Sequence, residues 1–440
     1  MGTITIENRI VDKHHLQSDI ALLDQFQRAA FDYFLNNVNP CNGLVADKSR
    51  ERSPASIAVV GFALSCYPVA VERGWMDRAE AAARTVVTLR FFFNSPQSEM
   101  PDVTGYKGFY YHFLDLATGK RAWQSELSLV DSTLLLAGIL MAGVYFDKNV
   151  QSETEIRELA EALYRRMDWH WAQNGKSSVS QGWKPECGFL HYGWEVYDEA
   201  AILYVLGLAS PTFPLSHDSF QTWTSTYQWE NIYGYDVLYS GPLFTHQYSH
   251  AWIDFRGIQD QFMREKKCDY FENTRRAIYL QQEYALRNPQ EFKGYGENCW
   301  GFTACDGPGP KMLSVDDRDR RFLGYAARGV PFGPDDGTIA PSAALASLPF
   351  TPDIALSAVH HLCERYPKMI SEYRMPSAFN PTVPGMNSQG WISEGYFGLD
   401  QGITVLMIEN YRSQLVWKLM QQCPYIAKGL RKAGFRRGWL

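Results

Sequence analysis

Apolar residues recur at three- and four-residue intervals through most of the chain, the spacing of helices that bury one face. The pattern predicts helices over residues 19–37, 53–73, 77–93, 128–146, 153–171, 195–208, 246–266, 270–288, 338–347, 352–366 and 398–420. Ser53-Pro54 and Thr351-Pro352 mark two of the starts, because proline suits the first helical position. About a dozen helices joined by loops imply helix-on-helix packing and disfavour a parallel α/β sheet. One β-hairpin interrupts the pattern: residues 109–114 and 120–123 are aromatic-rich and flank the Thr118-Gly119 turn. Four long Gly- and Trp-rich segments, 181–194, 224–244, 294–309 and 379–395, read as loops gathered on one elaborated face.

No stretch of the 440 residues has the composition of a linker, so one domain over 19–440 is expected, after an N-terminal extension of residues 1–18. A composition 45% hydrophobic and 20% charged supplies an ordinary globular core. The net charge of -6 disfavours nucleic acid as a partner, and the basic residues near the end, Lys428, Arg431, Lys432, Arg436 and Arg437, read as a solvated helix face. The longest apolar run, 134–144, is too short to span a bilayer, so no membrane insertion is expected. The first residues lack the pattern of a secretory signal, and eight cysteines without a CxxC pair read as reduced thiols; both suit a cytoplasmic protein, or a periplasmic one whose leader has been removed. No metal, no cofactor and no obligate protein partner is expected.

The aromatic residues in or beside the long segments include Trp183, Trp194, Trp223, Tyr227, Trp229, Tyr233, Tyr235, Tyr239, Trp300 and Trp391. Flat amphipathic rings suit the apolar faces of sugars. Glycoside hydrolysis needs two carboxyl groups beside such rings, one as proton donor and one to activate water or attack. Glu195, Asp198 and Glu199 run straight into the apolar AAILYVLGLA helix, with Glu195 and Glu199 on one helical face; such acids also complement a helix dipole. Asp131 heads another apolar helix, as a cap or as a cleft residue. Asp336 precedes a small-residue helix, and Asp400 in GLDQG follows Trp391 and Glu394. His246 and His250 in HQYSH have one-face spacing without the glutamate of the metalloprotease motif, so structural or sugar-contacting roles are favoured over a metal.

The strings ASIAVVGFALSCYPVAVERGW from Ala55, FYYHFLDLATGKRAW from Phe109, GPLFTHQYSHAWIDFRGI from Gly241, WGFTACDGPG from Trp300, DGTIAPSAALASLPFTP from Asp336 and GLDQGITVLMIENYRSQLVWKLM from Gly398 resemble the bacterial glucoamylase-like family. That family includes endo-β-1,2-glucanases and relatives of a domain in cyclic β-1,2-glucan synthases. The resemblance implies an all-α fold, an (α/α)6 toroid of paired helices, and cleavage of β-glucan by an inverting two-carboxylate mechanism. It implies Glu199 as general acid, Asp400 as base acting directly or through a substrate hydroxyl, and Asp131 as a further cleft acid. Expected substrate contacts are Trp183, Trp194, Glu195, Tyr197, His246, Tyr248, Trp300, Asp306, Asp336, Trp391 and Glu394. An α-glucan glucoamylase, a β-1,2-glucan transglycosylase and a non-catalytic glycan-binding protein are the competing readings.

Overall fold

Two helices that are apolar on every face, IAVVGFALSCYPVAVE and LVDSTLLLAGILMAGVY, pack side by side. A helix without a polar stripe has to be surrounded by protein, and these two form part of a central ring. Their backbones touch where Gly61 meets Gly138: a Cβ on Gly61 would collide with the carbonyl of Leu134, and one on Gly138 with the carbonyl of Gly61.

The structure, a computed structural model, describes residues 13–440 apart from 373 and 386–388, with side chains from residue 19 onward. Among the described residues the helices are α1 (Lys13–Asn36), α2 (Ile57–Glu72), α3 (Arg78–Asn94), α4 (Leu129–Tyr145), α5 (Gln151–Arg165), α6 (Trp169–Ala172), α7 (Ala201–Ala209) and α8 (Ser219–Thr224). They continue with α9 (Leu243–Trp252), α10 (Gln261–Glu265), α11 (Tyr270–Arg287), α12 (Pro341–Leu345), α13 (Pro352–Arg365), α14 (Gly398–Arg412), α15 (Leu415–Gln422) and α16 (Pro424–Lys432).

Six helices, α2, α4, α7, α9, α12 and α14, are buried along nearly their whole length and form the inner ring. Packing joins α12 to α14, α14 to α2, α2 to α4 and α4 to α7. Side chains complete the circuit: Ser249 Oγ on α9 accepts from the Ile202 N–H on α7 at 3.1 Å, and Gln247 Nε2 donates to the Ala343 carbonyl on α12 at 3.0 Å. Behind the ring stand α3 on α2, α5 on α4, α16 on α7, α11 on α9, α13 on α12 and α1 on α14. These are the six pairs of the expected toroid. The basic tail contributes α16, which buries Ile426, Gly429 and Leu430 against the ring and turns its charges outward. At the far end of the ring α15 crosses α2, α4, α9 and α14, and Trp417 Nε1 donates to the His250 carbonyl at 2.6 Å.

Several boundaries differ from the sequence pattern. The first helix begins at Lys13, inside the expected extension, whose residues 1–12 lie outside the described residues. The expected 246–266 helix is two: α9 stops at Trp252, and α10 starts afresh under a cap in which Asp260 accepts from the Met263 N–H. The 398–420 helix breaks at Gln414, whose φ of 61° no right-handed helix contains. Helix α7 begins only at Ala201, because Val196 is left-handed (φ 60°); Glu195 and Glu199 therefore share no helix face. The expected hairpin is reduced to a single bridge, Leu114 to Arg121. Phe109–Tyr111 instead joins a five-stranded antiparallel sheet, in which Tyr110 pairs with Ser128 and Leu127 with Trp183. The long segments also hold strand pairs, such as Trp229–Ile232 with Tyr235–Leu238.

Among the described residues no helix is long and apolar enough to cross a membrane. The eight cysteines are free thiols, five of them buried.

Candidate active site

Three of the six inner helices, α4, α7 and α14, carry an acid in or just before the first turn, so the ring collects carboxyl groups on one face. Asp131 is the third residue of α4, where Ser128 Oγ accepts from its N–H at 3.2 Å and donates to its carboxylate at 2.5 Å. The cap is Ser128 and not Asp131, whose carboxylate sits at the third helical position with His112 3.7 Å away and adds to the charge felt by Glu199. Asp400 is the third residue of α14, and its Oδ1 accepts from Ser342 Oγ of α12 at 2.8 Å. Glu199 lies just before α7, its carbonyl fixed by the Ser249 hydroxyl at 2.7 Å. Tyr248, half-buried on α9, is surrounded by this cluster: its phenol is raised well above its ordinary range by burial and by the charges of Asp400, Glu199 and Asp131.

Crowding and burial set the acidity of the two central carboxyls. Burial, with the Asp131 charge behind it, raises Glu199 to about 7. Its neighbour Asp198 is pushed up too, by burial and by repulsion from Glu199, although its Oδ1 accepts from the Ala200 N–H. Burial also raises Asp400 to about 7, against the hydrogen bond from Ser342. Two carboxyls that change charge near neutrality in one cluster have the acidity that proton transfer requires.

A third group faces Asp131. His112 Nδ1 lies 2.9 Å from Glu126 Oε1, and its Nε2 lies 3.7 Å from Asp131 Oδ2. Burial opposes its charge, but Asp131 and Glu126, with Asp47 beyond, outweigh it and raise His112 to about 9. The three side chains lie close enough together to hold a metal ion. Without a metal, the trio is satisfied as an ion-pair network, with the imidazole held between Glu126 and Asp131.

Other expected contacts are taken up by the fold. Asp336 forms a fully buried pair with Arg328, at 2.7 and 2.8 Å, and cannot reach a ligand. Trp300 and Tyr197 are buried core residues, Tyr197 stacking among Trp223, Tyr227 and Tyr270. His246 is buried against Tyr197 with Nε2 3.1 Å from the Ser240 carbonyl; burial lowers it to about 4, so it is neutral and packed away from sugar. His250 is likewise neutral, held by Thr274 at 3.2 Å. Trp183, Trp194 and Trp391 are half-buried, Glu195 and Glu394 exposed. Arg50 ties down the last of these, donating to the Glu394 carbonyl at 3.0 Å and pairing with Asp306 at 2.8 Å.

Residues 191–424, more than half of the chain, match the Glycoamylase family model, that of glucoamylase-like proteins. The chain belongs to this glucoamylase-like family. Its fold matches a glucoamylase-like protein from Bacteroides uniformis with a TM-score of 0.84 and 30% identity, over 96% of this chain and 98% of that one. It also matches an endo-β-1,2-glucanase from Chitinophaga pinensis, solved with sophorotriose and glucose, at a TM-score of 0.81 and 27% identity over 96% and 99% of the two chains. An exo β-1,2-glucooligosaccharide sophorohydrolase (non-reducing end) from Parabacteroides distasonis is 28% identical over 453 residues. That alignment takes in 94% of this chain, which spans 58% of the length of that curated relative.

In this glucoamylase-like chain, sequence reasoning missed Asp47, Lys48, His112, Glu126 and Tyr325. Tyr325 is exposed and stacks parallel to Phe397, with the Lys48 ammonium 4.2 Å over the Phe397 ring; Asp400, Asp47 and Asp131 all act on its phenol. One signal was available: His112 is a lone polar residue in the aromatic run FYYHF, at the bend between the short strands Phe109–Tyr111 and Phe113–Leu114. Asp47 and Tyr325 sit in irregular segments that carry no such mark.

Proposed function

We propose that this glucoamylase-like chain is an inverting glycoside hydrolase acting on β-1,2-linked gluco-oligosaccharides or glucan. The observation that carries the reading is the pair Glu199 and Asp400, two carboxyls on different inner-ring elements, both raised to about 7 by burial, in a cluster that also takes in the phenols of Tyr248 and Tyr325. Relatives that act on β-1,2-linked glucose, similar along almost the whole chain, supply the linkage.

In this reading protonated Glu199 gives its proton to the glycosidic oxygen as the bond from C1 to that oxygen breaks. Water adds to C1 from the opposite face and loses its proton to Asp400, directly or through a substrate hydroxyl. Burial keeps Glu199 protonated near neutrality, Asp131 adds its charge to that effect, and His112 and Ser128 hold Asp131 in place. The exposed and half-buried rings Tyr325, Trp183, Trp194 and Trp391 offer faces for sugar rings.

Incubation with β-1,2-glucan, β-1,3-glucan, β-1,4-glucan and starch, followed by product analysis and early proton NMR, tests the proposal. Release of β-1,2-linked products with an α-configured new reducing end is expected. Turnover of starch alone would make the chain an α-glucan enzyme. A β-configured end would point to a covalent or transglycosylating mechanism. Binding without turnover would leave a glycan-binding protein.

A further inference from the structure

Trp123 is the one exposed tryptophan among the described residues, with 67% of its surface open. Its backbone is left-handed (φ 54°), and so is that of Gln124 (φ 50°). Two consecutive residues with side chains do not adopt that conformation unless their surroundings impose it. Arg121 imposes it here. Its side chain is only 2% exposed; it donates to the carbonyls of Ser125 and Gln124 at 2.6 and 2.9 Å, pairs with Glu186 at 2.6 Å and covers the Tyr111 ring at 4.7 Å. A buried arginine thus holds a strained turn whose outward product is an indole in water. The ring rests on Phe113 on one side and turns the rest of its surface to solvent.

The indole borders a cavity of about 770 Å³. Lys48 also lines that cavity and is the residue beside Asp47 whose charge reaches Asp400. On the other side a run of rings leads inward: Trp123 lies 5.1 Å from Phe113, Phe113 stacks on His112 at 3.9 Å, and His112 faces Asp131. The rest of the cavity wall mixes polar side chains, among them Asn37, Asp115 and Arg52, with apolar ones such as Val38 and Leu116. One broad apolar ring and several hydrogen-bonding groups are what a pyranose ring needs.

We infer that Trp123 is the platform of a distal sugar subsite, which stacks on a glucose unit of an oligosaccharide whose reacting bond lies at Glu199 and Asp400. This rests on the carbohydrate-hydrolase reading above and extends it. The subsite makes the enzyme prefer longer chains, because only an oligosaccharide that reaches beyond the carboxyl cluster gains the contact.

The test uses the full chain carrying Glu199→Gln, which allows binding to be measured without turnover. Calorimetric titrations with gluco-oligosaccharides of two to eight units, in each of the four linkages named above, are compared with and without Trp123→Ala. Affinity for the longest bound oligosaccharides is expected to fall about tenfold, with the shortest unchanged, a loss typical of one stacked ring. Trp123→Phe should retain most of the affinity, whereas Trp123→Gln, which has no ring to stack, should lose it and serves as the test if the alanine variant does not fold. An affinity that rises with length equally in both backgrounds overturns the subsite. Turnover by the parent chain is scored separately: a parent that cleaves β-1,2-glucan while Trp123→Ala leaves the length dependence intact refutes the subsite alone. A parent that cleaves nothing but loses length-dependent binding with Trp123→Ala refutes the hydrolase reading alone.

Discussion

Ser342 donates its hydroxyl to Oδ1 of Asp400 at 2.8 Å, while Oδ2 of the same carboxylate is buried, with only the weaker pull of the Ser377 hydroxyl on that carboxyl besides. One oxygen is positioned and the other is left to take a proton. Removing the donor should therefore change acidity without removing the base. In Ser342→Ala the carboxylate loses a stabilising hydrogen bond, its pKa rises, and the acidic limb of the pH–rate profile is expected to move up by about one unit. A profile of kcat/KM from pH 4 to 9 on the glucan that supports turnover reads the shift.

Glu199→Gln replaces a proton donor by a near-isostere. Turnover should fall by roughly a hundred- to ten-thousandfold while the circular dichroism spectrum and oligosaccharide affinity stay near those of the parent. Turnover within about threefold of the parent would remove Glu199 from the acid role and put Asp131 or Asp198 in its place.

Asp131→Asn deletes a negative charge that raises Glu199. The proton on Glu199 is then lost at lower pH, so the basic limb of the profile should move toward acid. His112 loses a partner as well and should titrate lower, which histidine NMR can follow. An unmoved basic limb would mean that Asp131 acts by contact with the substrate instead of through Glu199.

The inner ring was legible because its helices have no polar face: once α2, α4 and α7 are read as apolar all round, only the centre of a helical body can hold them. Its interruptions were not. The run HQYSHAWIDFRGIQDQFMREK keeps a helical apolar spacing straight through the break after Trp252, since Asp254 and Asp260 look like a polar face until their capping bonds to the Arg256 and Met263 N–H groups are seen. The site was half legible. Acids at the starts of apolar helices, Asp131 and Asp400, announce themselves, whereas Asp47 and His112 reach the same cluster from distant segments that only the closed ring brings together. Trp300 and Tyr197 show the opposite error: an aromatic residue in a Gly-rich segment looks exposed until the segment folds back on the core.

The Arg328–Asp336 pair yields a stability prediction. Burial pushes Asp336 up, but the Arg328 hydrogen bond and charge outweigh it and hold the carboxyl below its ordinary range. A depressed folded pKa stabilises the protein above the unfolded value of about 3.9, and that contribution is lost as pH falls through the folded value. Asp336→Ala leaves Arg328 buried without its carboxylate and should cost about 3–5 kcal/mol at pH 7. Urea unfolding of parent and variant checks this, and the difference between them should shrink in strong acid.

The helix that crosses the far end of the ring, α15, also has a kinetic consequence. With Val416, Trp417 and Met420 buried beneath the inner helices, the ring is a cup and not a tunnel. A polymer cannot be threaded through it, so each fragment has to back out by the mouth through which the next chain arrives. On the proposed reading, departing product and arriving substrate share one passage, and accumulated short fragments are expected to slow turnover as competitors for entry, which product-inhibition kinetics reads.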